Sequence, residues 1–122
     1  MAILSDEPDA PAYAAAILAA RGRCVISAAT LVELTMVAES RGDAATAQRI
    51  DAMIRHIGAE VIAVDERQAE RARDGWRRYG KGRHPARLNL GDCFSYALAL
   101  ERGEPLLFKG DDFAQTDVKR AI

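Results

Sequence analysis

Three short apolar stretches, set between segments with helix start and stop signals, limit what this chain can fold into. Cys24-Val25-Ile26-Ser27, Glu60-Val61-Ile62-Ala63-Val64 and Pro105-Leu106-Leu107-Phe108 each read as a short buried strand. A first helix is expected from about Asp9 to Arg21, with Pro11 in its opening turn and Gly22 as its stop. Thr30-Leu31-Val32-Glu33 has capping-box form and predicts a helix to about Arg41. Asp43 is placed to cap a helix ending at Gly58, and Asp65-Glu66-Arg67-Gln68 to open one ending near Tyr79. Asn89 is placed to cap a helix from Leu90 to about Arg102, closed by Gly103, and a short last helix is expected after Thr116. Short strands alternating with helices imply an α/β fold, a parallel sheet covered on both faces. Ligands of such sheets sit beyond the C-terminal strand ends, here Ser27, Val64 and Phe108. Glu33 follows the first of these ends within two helical turns, and Asp111 and Asp112 directly follow the third.

The length, 122 residues, suits a single domain spanning residues 1–122. The longest purely apolar run, Ala14 to Ala20, is far short of the ~20 residues a membrane span needs. Asp6, Glu7 and Asp9 stand where a secretory signal would carry positive charge. Cys24 and Cys93 lack CxxC spacing and read as reduced thiols in a cytoplasmic protein. A net charge of −1 argues against gripping nucleic acid by bulk charge. The charge is unevenly placed, however. Arg77, Arg78, Lys81, Arg83, His84 and Arg87 occur with no acid among them.

Phosphate-binding glycine loops and the GxSxG elbow are absent. Neither His56 nor His84 has a partner at zinc-site spacing. Carboxylates remain. Two of them at about 5 Å repel by roughly 3 kcal/mol at an effective dielectric of 20. Converging acids therefore protonate, splay apart, or bind a hard cation such as Mg²⁺ or Mn²⁺. Each acid also has a purely structural role open to it. Glu33 can serve the Thr30 capping box, Asp92 can complement the dipole of its helix, Asp111 and Asp112 can be loop acids, and Asp117 can cap the last helix.

Together, three blocks resemble the PIN-domain ribonuclease toxins of the VapC family. They are Tyr79-Gly80-Lys81-Gly82-Arg83-His84, Asn89-Leu90-Gly91-Asp92-Cys93-Phe94-Ser95-Tyr96-Ala97-Leu98-Ala99, and Pro105-Leu106-Leu107-Phe108-Lys109-Gly110-Asp111-Asp112-Phe113. The stretch Leu4 to Asp9 resembles the family's segment after its first strand. The resemblance implies a PIN-like doubly wound parallel sheet with helices on both faces. It implies a Mg²⁺-dependent endoribonuclease (Mn²⁺ as an alternative ion), a homodimer, and a VapB-like antitoxin that blocks the site. Glu33, Asp92 and Asp112 would be the catalytic acids and metal ligands, with Asp117 a further ligand. Gly110 stands where many PIN domains carry their third acid, so that role falls on Asp112, with Asp111 second. Lys81, Arg83 and Lys109 would hold RNA phosphates, which position a strand without selecting its sequence.

The family's opening strand, ending in a metal-binding Asp, has no counterpart in this sequence. The expected fold is therefore the family's fold without its first strand, and the alternative to an active enzyme is an impaired remnant that binds antitoxin or RNA without cleaving. A magnesium-dependent phosphohydrolase would need a nucleophilic Asp at the end of the first strand, where Ser27 stands.

Overall fold

The computed structural model describes residues 10–41, 44–108 and 111–122. The elements run α1 (Ala10–Ala19), β1 (Val25–Ser27), α2 (Ala28–Arg41), α3 (Ala44–Ile57), β2 (Glu60–Ile62), α4 (Glu66–Tyr79) and α5 (Leu90–Arg102), followed by a 3₁₀ turn, Phe113–Gln115. The fold is mixed α/β, and its sheet is parallel, β1 beside β2 in the register Val25↔Glu60, Ile26↔Val61, Ser27↔Ile62. No described helix is long and apolar enough to cross a membrane.

Local signals set several boundaries where they were expected. Asp65 accepts a hydrogen bond from the Gln68 N–H (2.9 Å) at the start of α4. Asn89 and Asp92 form a reciprocal capping box at the start of α5, and Gly103 ends that helix in the left-handed conformation (φ 63°). The expected cap Asp43 lies outside the described residues, as do Leu4 to Asp9.

Three expectations are corrected. The helix after the first strand begins at Ala28 rather than at a Thr30 cap, because strand passes into helix without a break. Thr30 is thus inside α2, and its hydroxyl meets that of Ser95 on α5 at 3.0 Å. The third strand is reduced to a parallel bridge, Leu106↔Arg120, apart from the β1–β2 sheet. The last helix does not form either. The Thr116 hydroxyl donates to Phe113 O (2.7 Å) and accepts from the Val118 N–H (3.3 Å), a local turn that competes with helix. The chain then runs extended, with Leu106 N–H donating to Lys119 O and Ala121 N–H to Leu106 O.

The main core lies between α4, α5 and the C-terminal segment. It contains Leu88, Cys93, Tyr96, Ala97, Phe108 and Phe113. Tyr96 is fully buried, and its ring packs closely against α4 at Gly75. A Cβ there would stand 2.6 Å from Tyr96 Cδ1. Gly75→Ala is therefore expected to overpack this contact and destabilise by about 1–3 kcal/mol. Chemical denaturation checks this, and an unchanged midpoint would show that α4 and α5 can part at no cost.

On the side away from β2, β1 has no ladder partner among the described residues. A largely apolar groove of about 690 Å³ borders β1, lined by Ile17, Val25, Ile26, Leu98, Leu106 and Leu107 among others. Ser27, at 1% exposed, also lines it, and its Oγ has no hydrogen-bond partner among the described residues. This is the place where an extended segment could pair with β1.

Candidate active site at the start of α5

Two helices cross to build the site. The Thr30–Ser95 contact fixes α2 against α5. One turn onward from Thr30 along α2 is Glu33, and one turn back from Ser95 along α5 are Gly91 and Asp92. These positions meet. The Glu33 carboxyl group stands over the bare Cα of Gly91, in the space a Cβ would occupy. With the Thr30 capping box absent, Glu33 has no capping duty.

The electrostatics fit two acids held close. Partial burial raises the Glu33 carboxyl above its ordinary pKa, and the charge on Asp92 raises it further. Burial likewise raises Asp92, the nearby charge of Asp112 adds to this, and the Asn89 N–H bond opposes it. Asp92 thus has a capping role as well, since its Oδ2 accepts from Asn89 N–H at 3.1 Å. Burial, reinforced by the Asp92 charge, also raises the adjacent Cys93 thiol and keeps it protonated. Cys93 is a buried free thiol and Cys24 a half-buried one.

The remaining residues divide. Asp112 opens the 3₁₀ turn, is exposed, makes no capping hydrogen bond with its side chain, and lies near enough for its charge to act on Asp92. Asp117 faces elsewhere. It pairs with Arg78 at 3.6 Å and stands close to the Tyr96 phenol. Burial, reinforced by Asp117, pushes that phenol well above its ordinary pKa, although Tyr96 Oη is without a hydrogen bond of good geometry among the described residues. An ion-pair role for Asp117 is what this geometry supports. Lys109 and Gly110 lie outside the described residues. Among the described residues, no three acids, histidines or cysteines gather closely enough to enclose a metal ion.

The basic segment is a pinned loop rather than a loose solvated run. Lys81 N–H donates to Leu88 O and Leu88 N–H to Tyr79 O, both at 2.9 Å, while Ala86 and Leu88 are fully buried. Lys81 is exposed. The Arg83 guanidinium stacks on the Trp76 ring, 4.2 Å from its centroid. Sequence reasoning missed Trp76, whose place one turn before the loop was its only signal. Gln115 Nε2 lies 3.4 Å from both Pro85 O and Asp111 O, which ties the basic loop to the turn carrying Asp112.

The sequence model of the PIN domain matches residues 1–119. The chain belongs to the PIN domain family. It is similar to Ribonuclease VapC30 of Mycobacterium tuberculosis, with 46% identity over 97% of this chain and 89% of the relative. It is 48% identical to a Ribonuclease VapC of Mycolicibacterium smegmatis over 97% of this chain and 91% of that one. Ribonuclease VapC28 of M. tuberculosis matches at 47% over the whole chain and 92% of its own length. In this PIN domain, the Glu33–Gly91–Asp92 contact lies at the start of the helix that carries the most specific block of the sequence.

Proposed function

We propose that this PIN domain is a divalent-metal-dependent endoribonuclease, the toxin of a VapBC-type pair, acting in the cytoplasm. The observation that carries the proposal is the meeting of Glu33 with the start of α5 beside Asp92, where burial raises both carboxyl groups, the Asp92 charge adds to the rise at Glu33, and the Asp112 charge adds to the rise at Asp92. Two acids held in this way attract a hard cation, and the all-oxygen donor set favours Mg²⁺ or Mn²⁺ over Zn²⁺. Asp92 and Glu33 would hold the ion, with Asp112 at the rim. When bound, it would supply a water of lowered pKa and stabilise the charge that builds on the phosphodiester. Lys81 and Arg83 hold backbone phosphates, Trp76 keeps Arg83 in place, and Gln115 keeps their loop beside the acids. Lys109 is proposed as a third phosphate contact. A VapB-like antitoxin would block the site by placing Arg or Lys against the acids, and the toxin would act as a homodimer.

The test is cleavage of single-stranded RNA by the purified chain with Mg²⁺ or Mn²⁺, with and without chelator. Chelator-sensitive cleavage is expected. The absence of a three-ligand group among the described residues favours a second reading, an impaired remnant that binds antitoxin or RNA. Binding of RNA without cleavage, in either ion, would establish that reading instead.

A further inference from the structure

Gly91 has no conformational reason to be glycine. Among the described residues, the glycines with positive φ are Gly22, Gly58, Gly82 and Gly103, and Gly91 is not among them. It is the second residue of α5, where glycine is less favourable than alanine. What marks it out is its neighbour. The three atoms nearest to a Cβ at this position all belong to the Glu33 carboxyl group, and they overlap it. At Gly75 the corresponding neighbour is the ring of the buried Tyr96. At Gly91 it is the free end of a flexible, exposed side chain.

This difference decides what a methyl group would do. A side chain at residue 75 pushes on packed core. A methyl at residue 91 meets a carboxyl group that can swing into solvent, so the fold survives and the carboxylate leaves. We propose that Gly91 is a positioning residue, whose missing side chain makes the room in which the Glu33 carboxylate stands beside Asp92. The inference rests on the proposed role of these two acids in holding a divalent cation. Glycine here admits the Glu33 carboxylate to a position that any side chain would deny it. Asp92, the next residue, is oriented independently by the capping box with Asn89. The approach of the two acids is therefore permitted by one absent side chain, while one cap orients Asp92.

The test is a double-mutant cycle on the 122-residue chain with Glu33→Ala, Gly91→Ala and the pair. Mn²⁺ affinity is read by calorimetry, and the melting temperature is read without metal. Each single change is expected to weaken Mn²⁺ binding tenfold or more, and the pair no further than either alone. Without metal, Gly91→Ala should raise the melting temperature by a few degrees in the Glu33→Ala background, where the methyl enters vacated space and the helix gains an alanine. Additive losses of affinity, or an equal fall in melting temperature in both backgrounds, would show Gly91 to be a scaffold glycine and overturn the inference. If Glu33→Ala leaves Mn²⁺ affinity unchanged, the metal-site proposal fails, and the metal-free melting cycle still decides whether Gly91 holds Glu33.

Discussion

Asp92→Asn is expected to lower RNA cleavage by a factor of order 10² or more while the fold stays intact. The exchange is nearly isosteric. The Asn side-chain oxygen can still accept from Asn89 N–H, so the capping box that Asp92 closes is kept. What changes is the charge offered to a hard cation, for which a neutral amide oxygen is a poorer ligand. Such ions contribute several kcal/mol to transition-state stabilisation, and each ~1.36 kcal/mol is about tenfold in rate. Cleavage rates measured on RNA with Mg²⁺ present check this, and full activity in Asp92→Asn would falsify the role of Asp92.

The same variant carries a stability signature with a definite sign. Glu33 and Asp92 have pKa values raised by folding in the metal-free chain. The folded form therefore holds protons that the unfolded form releases, and stability falls as pH rises through the window between the ordinary carboxylate values and the raised ones. The repulsion between the two acids is at its fullest above that window, where both are charged. Metal-free Asp92→Asn should then melt at or above the parent at pH 7, with the gap closing as pH falls toward about 4, the ordinary Asp range. A purely structural acid at this position would show the opposite order at pH 7.

The second large effect concerns the groove beside β1. A version of this chain carrying an apolar β-strand ahead of Met1 is expected to be more stable by several kcal/mol and less prone to aggregate. The edge of β1 and the Ser27 hydroxyl, both without a partner among the described residues, and the apolar lining that includes Val25, Ile26, Leu98 and Leu106 are the reasons. Burying each large aliphatic side chain contributes about 1.5–3 kcal/mol, and giving a buried hydroxyl its partner removes a penalty of about 1–3 kcal/mol. Covering a free strand edge also removes a template for intermolecular pairing. Thermal melts of the two forms at equal concentration decide the matter. Equal midpoints would mean that the groove does not take a strand.

Much of the local architecture was legible in the sequence, for a physical reason. The Asp65–Gln68 and Asn89–Asp92 caps and the Gly103 stop depend on groups within a few residues of one another, so their spacing is written directly in the chain. The specific block around Asp92 and the basic run before it likewise stood out as residue types in order. The sequence left open whether Glu33 served a cap with Thr30 or a site with Asp92. Both roles suit the same four residues, and only the start of α2 at Ala28 removes the first. Asp117 looked like one more acid near the others, but the packing of α4 against the C-terminal segment delivers it to Arg78 and Tyr96. Leu106 read as sheet and instead pairs with Arg120, a partnership no local pattern encodes. The contact between Glu33 and Gly91 depends on how two helices distant in sequence cross. A sequence names the donors a site can use, and the tertiary structure decides which of them share a few ångströms of space, because crossing geometry is fixed by packing all along both helices.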